Sequence, residues 1–412
     1  MEKQHPADRE AREALAQETT MSHRSRPWHM LTLALCASVI AILGLWLCLA
    51  PKQDFSEWEN RTLAQTPTFS FSSLLDGTWT DQVADFCADQ FPMRTLWVEG
   101  KARLELLCGR MENNGILAGQ DGYLIPRQEY GNAEHDTLDT NLRAAASLSR
   151  ALEEAGISFV AAAVPRSVDI NREHLPPSYD PVQADAVWSW LSDAAEAEGL
   201  SLTDLLSPLR TAAAADETVW YRTDHHWTTR GAYEAYVALG QALGYTPYPL
   251  STFSPETVST NFYGTSFSSS GMYWLGADTL TLLRYPGDDR LQTIIGENNS
   301  QVLQGLYDKE ALATRDQYRV FLGGTNGMIR VENPDDDSLP TLLLIKDSFA
   351  QSLAPFLAGH YRLILVDPRA YRQSVYALAC REKVDAVLLL YGIDTLATGN
   401  SLSILRMGLP TS

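Results

Sequence analysis

Thr341-Leu342-Leu343-Leu344-Ile345-Lys346-Asp347-Ser348-Phe349-Ala350 is the stretch from which the fold can be read. Leu342 to Ile345 are consecutive branched apolar residues with polar neighbours, the pattern of a strand buried on both faces. The serine just beyond opens a helix. A strand that runs straight into a helix is the repeating unit of a parallel sheet, and it sets the Ser348 hydroxyl at the sheet's carboxyl edge, where such folds bind their ligands.

The same alternation extends outward in both directions. Upstream, residues 137–155 read as a helix with Leu138, Leu142, Ala145, Leu148 and Leu152 on one face and Gly156 as its stop. A strand at 157–164 ends at Pro165, a helix at 182–198 closes on Gly199, a short strand follows at 200–202, and a helix at 229–243 closes on Gly244. Downstream of Ser348 a helix ends by Gly359, followed by a strand at 361–366, a helix at 371–382 and a strand at 384–390. This order predicts an α/β domain, a doubly wound parallel sheet with helices on both faces. Residues 246–338 interrupt it. They are rich in Ser, Thr, Gly, Asn and Tyr and read as a β- and loop-rich insertion that roofs the ligand edge.

Residues 28–50 contain no Asp, Glu, Lys or Arg and are long enough to span a bilayer. Arg24 and Arg26 precede the run, and Lys52 is soon followed by Asp54, Glu57 and Glu59, which favours the N-terminus inside. The expected organisation is a cytoplasmic lead at 1–27, a transmembrane signal anchor at 28–50, an N-terminal extension at 51–135 and the α/β domain at 136–412. A cleaved secretory signal is the alternative, with Cys48-Leu49-Ala50 as an imperfect small-x-small site, disfavoured by Pro51 just after it. Either reading makes the following part extracytoplasmic.

With 45% hydrophobic and 20% charged residues, the chain of 412 residues has the composition of a globular protein and not of a disordered one. Its net charge is −19, and residues 1–27 carry five basic and five acidic groups, so the excess belongs to the segment after the lead. That balance excludes nucleic acid as a partner and disfavours a strongly anionic substrate. Beyond Cys36 and Cys48 in the apolar run, only Cys87, Cys108 and Cys380 remain, too few for a disulfide scaffold. Buried free thiols are expected, though Cys87 and Cys108 could pair, and no CxxC spacing suggests structural zinc.

The densest chemical signal is Tyr221-Arg222-Thr223-Asp224-His225-His226-Trp227-Thr228, just before a helix. An Asp two residues before a His on a tight turn can reach the imidazole Nδ1 and leave Nε2 facing a nucleophile as general base. Ser348 is the candidate nucleophile, with free helical N–H groups beside it to hold an oxyanion. Each half also has a plain structural reading: Asp224 as a helix cap with the His-Trp pair filling space, and Ser348 as an ordinary N-cap. A metal held by Asp224 and the two histidines is disfavoured, because adjacent histidines point in different directions. No cofactor is expected.

Further motifs join the two halves. Ser56-Glu57-Trp58-Glu59-Asn60-Arg61-Thr62-Leu63, Asp89-Gln90-Phe91-Pro92-Met93-Arg94, Asn114-Gly115-Ile116-Leu117 and Asp121-Gly122-Tyr123-Leu124-Ile125 resemble the entry region of the bacterial DHHW family. Thr223-Asp224-His225-His226-Trp227-Thr228 resembles its name motif, and Asn261-Phe262-Tyr263-Gly264-Thr265, Phe321-Leu322-Gly323-Gly324, Lys346-Asp347-Ser348-Phe349-Ala350 and Pro355-Phe356-Leu357 continue the likeness. That family is similar in turn to the SGNH-hydrolase-like domains of alginate O-acetyltransferases. The resemblance implies Ser348 as nucleophile, His226 as general base and acid, Asp224 as its orienting carboxylate, and no catalytic role for His225. Gly323, Gly324, Asn326, Tyr263 and Trp227 are the candidate oxyanion and substrate residues. Where relatives tend to read Gly-Gly-Asn, this chain has Gly323-Gly324-Thr325 with Asn326 one place later, which leaves the second oxyanion donor unassigned.

The function so implied is O-acetylation of a cell-surface or secreted glycan through an acyl-serine, in a membrane-anchored protein with an extracytoplasmic catalytic domain. The resemblance adds a membrane-bound O-acyltransferase as a possible supplier of acetyl groups. Aromatic residues of the insertion, Phe262, Tyr263, Phe267, Tyr273 and Trp274, would exclude water or simply pack. An acetyl esterase using the same residues, and a non-catalytic glycan-binding or scaffold protein of the envelope, are the alternatives.

Overall fold

Around the strand Thr341–Lys346, a computed structural model shows an eight-stranded sheet. It describes residues 6–128, 130–215, 217–336 and 338–410, and for residues 6–27 and 183 the backbone alone. In chain order the sheet strands are β1 (Ser158–Val164), β2 (Leu202–Thr203), β3 (Gln292–Ile295), β4 (Gln301–Gln304), β5 (Met328–Glu332), β6 (Thr341–Lys346), β7 (Arg362–Val366) and β8 (Ala386–Gly392). Their spatial order is β4-β3-β5-β7-β6-β8-β1-β2. The strands β7, β6, β8, β1 and β2 are mutually parallel.

The side-chain period of two in β6 explains why this strand is central. Leu342 and Leu344 enter one core; Leu343 and Ile345 enter the other. Helices Leu206–Ala214, Thr229–Leu243 and Ala350–Leu357 cover the first face, and Asn132–Glu154, Val182–Ala197 and Val375–Glu382 cover the second. The doubly wound sheet therefore stands as the sequence indicates.

The inserted region does more than roof the edge. Its strands β3, β4 and β5 continue the sheet in antiparallel pairings, β5 against β7, β3 against β5 and β4 against β3. These strands are short, and each of β3 and β5 has half-buried positions, so their apolar content is diluted and composition alone hides them. A separate pair, Ser254–Phe262 with Asp278–Arg284, completes the region.

Element ends shift for local reasons. The helix expected from 137 begins at Asn132, where the Glu134 carboxylate accepts the Gly131 N–H at 2.8 Å. The helix expected from 371 begins at Val375, capped by Ser374, because Tyr371 N–H is taken by the Asp367 carbonyl in a preceding turn. The helix expected at Ser348 begins at Ala350.

Two compact units are defined: residues 1–56 with 61–97, and residues 57–60 with 98–412. The expected extension at 51–135 straddles both. In the first unit, among the described residues, one helix is long and apolar enough to cross a membrane, Trp28–Leu49, with mean hydropathy 2.4 and none of it buried. The expected lead at 1–27 lies outside the described residues at positions 1–5. Also in this unit Asp89 receives Arg61 at 2.5 and 2.8 Å, and the Arg61 hydrogen bond takes the lead in bringing its carboxyl down to about 2. In the second unit a three-stranded sheet (Glu112–Asn113, Ile116–Ala118, Leu124–Pro126) shares a small core with Phe267, Met272 and Tyr273.

All five cysteines are free. The expectation of buried thiols is corrected: Cys108 and Cys380 are exposed, the latter because the helix Val375–Glu382 buries Val375, Leu378 and Ala379 and turns residue 380 outward.

Candidate active site

Ser348 sits in the turn between β6 and the helix Ala350–Leu357, at the carboxyl edge of the parallel strands. The neighbouring Asp347 fixes this turn. One carboxylate oxygen accepts Phe349 N–H at 3.0 Å, the other Gly392 N–H at 2.7 Å at the end of β8. Burial pushes the Asp347 carboxyl up, against the two N–H donors that favour its charge. A Cβ at Gly392 would stand 2.8 Å from the Phe349 ring, so any larger residue there would force that ring to move.

The histidine comes from the loop 220–227, whose ends pair as an antiparallel bridge between Trp220 and Trp227. Within it Asp224 Oδ1 accepts the backbone N–H of His226 at 2.9 Å and its Nδ1–H at 2.5 Å. A carboxylate can only accept, so Nδ1 carries a proton, and in the neutral imidazole Nε2 is then the acceptor. The Ser348 hydroxyl donates to that Nε2 at 2.7 Å. Asp224 and His226 are 2% and 5% exposed. Burial would raise the Asp224 carboxyl, but attraction to His226 and His225 and the hydrogen bonds from His226 and Thr265 outweigh it and hold it well below the usual carboxylate range.

The inserted region supports this loop. Thr265 N–H donates to Asp224 Oδ2 at 2.7 Å, and a Cβ at Gly264 would lie 2.2 Å from that same oxygen, so the approach requires glycine. The buried carboxylate of Asp278 accepts the Thr223 N–H at 2.8 Å, the Thr223 hydroxyl at 2.6 Å and Arg222 Nε–H at 3.2 Å. Tyr318 stacks on the His226 ring, centroids 4.1 Å apart and planes 8° apart. These supports were not singled out from sequence. Thr265 stands inside a recognised motif, whereas Asp278 and Tyr318 carry no local signal.

The two structural readings fail on geometry. The cap of the helix Thr229–Leu243 is Thr228, whose hydroxyl accepts Gly231 N–H at 3.2 Å, and Asp224 is committed to His226 and Thr265. The helix after Ser348 is entered from Phe349, which makes no side-chain cap. His225 turns away: it is half-exposed and its Nδ1 pairs with the Thr265 hydroxyl. Asp224, His225 and His226 offer ligand-type atoms within 4.8 Å of one another, but both nitrogens of His226 are engaged in the chain to Ser348 and Asp224.

A cavity of about 330 Å³ opens over Ser348 and His226, walled by Asn60, Tyr263, Gly323, Gly324, Asn326 and Gln351. The Asn326 amide is turned back on its own loop, 3.3 Å from the Gly324 carbonyl and 3.5 Å from that of Gly323. Trp227 is the corrected candidate. It is fully buried outside the cavity, and its indole N–H donates to the Phe349 carbonyl at 3.1 Å and Ser352 Oγ at 2.8 Å. It braces the histidine loop against the serine turn.

An SGNH-hydrolase-like α/β domain with a Ser, His, Asp chain at its carboxyl edge is the class that fold and site define. A family model described as the SGNH hydrolase-like domain of the acetyltransferase AlgX matches residues 116–278, and one described as DHHW protein matches residues 208–366. Over these segments the chain is thus similar to the DHHW proteins and to the SGNH hydrolase-like domain of the acetyltransferase AlgX. It is 29% identical over 226 residues, 53% of each chain, to a probable alginate O-acetylase AlgJ of Pseudomonas syringae pv. tomato. Over 196 residues it is 28% identical to that of Pseudomonas fluorescens, covering 47% of this chain and 49% of the relative. It spans about half the length of the curated relatives it matches.

Among solved structures, a DHHW family protein from Eubacterium siraeum aligns with TM-score 0.57 at 20% identity, over 73% of this chain and 98% of that one. Bacillus cereus PatB1 with a sulfonyl adduct aligns with TM-score 0.58 at 18% identity, over 71% and 98%. Both share the fold.

Proposed function

We propose that this chain is a membrane-anchored, extracytoplasmic O-acetyltransferase acting on a cell-surface or secreted polysaccharide through an acyl-serine at Ser348. The observation that carries the reading is the unbroken hydrogen-bond chain from Ser348 Oγ to His226 Nε2 at 2.7 Å and from His226 Nδ1 to Asp224 at 2.5 Å. Likeness to probable alginate O-acetylases supports the acyl-transfer chemistry and the glycan as acceptor. The apolar helix Trp28–Leu49 supports the anchor.

In the first step the Ser348 proton passes to His226 Nε2 while Oγ bonds to the carbonyl carbon of an acetyl ester. The tetrahedral intermediate collapses, the ester C–O bond breaks, and the leaving alkoxide takes the proton from His226. A sugar hydroxyl then gives its proton to His226 and attacks the acyl carbon; the ester bond to Oγ breaks, and Ser348 takes that proton from His226. Asp224 remains ionised throughout and stabilises the imidazolium. Polar groups on Gly323, Gly324 and Asn326 are the candidates to bind the oxyanion or the substrate. A membrane-bound O-acyltransferase is the proposed source of acetyl groups.

A fluorophosphonate probe is expected to label the full-length wild type and not Ser348→Ala. An acetyl-ester donor with an oligosaccharide should then yield a product heavier by one acetyl group. Free acetate alone would make the protein an esterase, and an unlabelled folded wild type would leave a glycan-binding or scaffold protein.

A further inference from the structure

The turn Glu57-Trp58-Glu59-Asn60 links the strands Phe55–Ser56 and Arg61–Thr62 and belongs with the second unit. Arg315 fastens it there. Its Nε–H donates to the Glu57 carbonyl at 2.6 Å, and its two terminal nitrogens donate to the Tyr263 carbonyl and, at 3.0 Å, to Ser268 Oγ. Tyr263 and Asn60 both wall the cavity over Ser348. The turn is therefore tied to the lining of the reaction cavity.

Two side chains on it are only partly used in holding the turn. Asn60 has φ 49°, a left-handed conformation that asparagine tolerates and that a tight turn uses, but this engages only its backbone. Its carboxamide, at the cavity wall, has no hydrogen-bond partner among the described residues. Trp58 lies near Phe267 (centroids 6.2 Å, planes at 29°) and Tyr273 (5.3 Å, 41°), both buried, yet 45% of Trp58 is exposed. Phe267 in turn lies 4.4 Å from Tyr263. An indole packed on one side and open on the other, two residues from an unengaged amide, is suited to a ligand with an apolar face and a hydroxylated edge.

We propose that Trp58 and Asn60 form a pyranose subsite beside Ser348, the indole taking the apolar C–H face of a sugar ring and the carboxamide its hydroxyls. This rests on the reading of Ser348 as the acyl-transfer nucleophile, and it assigns the sugar's contact to the turn that follows the apolar helix. An amide is both donor and acceptor, which matches a hydroxyl that both gives and takes a hydrogen bond.

The full-length protein is assayed with two acetyl esters, 4-nitrophenyl acetate and a mono-O-acetylated methyl glucopyranoside, and the ratio of kcat/KM for the sugar ester to that for the aryl ester is compared. Asn60→Ala and Trp58→Ala should each lower that ratio about tenfold, mainly through KM for the sugar ester, and Trp58→Phe should recover most of it. A ratio unchanged in Asn60→Ala, a change too small to unpack the turn, and in a folded Trp58→Ala would overturn the subsite. So would a wild type that cleaves the aryl ester but not the sugar ester. A wild type that cleaves neither would instead overturn the reading of Ser348, which keeps the two failures apart.

Discussion

The two halves of the site are held in different ways. The serine turn is an outgrowth of the sheet: β6 lies between β7 and β8, its side chains alternate between two cores, and Asp347 ties the turn to the end of β8. The histidine loop has no such base. It is held by Asp278, Thr265 and Tyr318 from the inserted region and by Trp227 reaching across to Phe349. The proposed nucleophile thus inherits its position from the fold, while the proposed general base is placed by polar contacts made across large sequence separations. Losses in the loop should therefore affect catalysis before they affect the fold.

The largest effect should come from the base itself. His226→Ala is expected to lower acetyl-ester turnover by roughly three orders of magnitude or more, with His225→Ala costing about tenfold or less, measured as kcat on 4-nitrophenyl acetate. The reverse order would break the assignment of His226 and with it the comparison.

Asp278→Ala sharpens it. Removing this carboxylate leaves the Thr223 and Arg222 donors without their partner, which should cost about 1–3 kcal/mol of stability by denaturant titration. It should also lower turnover about tenfold or more, since Thr223 precedes Asp224. Unchanged turnover in a destabilised variant would show that the loop's position does not depend on the insertion.

The smallest effect lies on the sheet side. Burial, opposed by the Tyr130 hydrogen bond and Arg166, raises the Asp394 carboxyl from 3.8 to about 6. The folded state then holds a proton that the unfolded chain releases at lower pH, so this contribution to stability is full below about 4 and is lost as pH rises through about 6. Asp394→Asn should flatten the fall in thermal stability between those values, with activity on 4-nitrophenyl acetate following only the folded fraction. A slope unchanged in the variant would exclude Asp394 as its source.

Legibility in the sequence follows the same division. The serine turn could be read because Leu342 to Ile345 form an unbroken apolar run and the helix follows at once. Asp224 and His226 could be read as a pair because the contact spans two residues. What supports them could not. Asp278 lies more than fifty residues from Thr223, and nothing in its local pattern distinguishes it from a surface acid. Trp227 reads as a substrate contact because its motif neighbours are at the site, but the preference of a large indole for a packed core with its N–H satisfied sends it inward. The insertion reads as β- and loop-rich, but that β3, β4 and β5 extend the main sheet is not legible, since short strands with polar or half-buried positions carry no signal of their partners.

Ser348 is the residue proposed to carry the acyl group. Brief reaction of the full-length protein with 4-nitrophenyl acetate, acid quench and peptide mass spectrometry should find one acetyl group on the peptide containing Ser348. The adduct should build up further in the absence of an acceptor sugar and disappear in His226→Ala. Acetyl found on another residue, or turnover that persists in Ser348→Ala at the wild-type rate, would contradict the account.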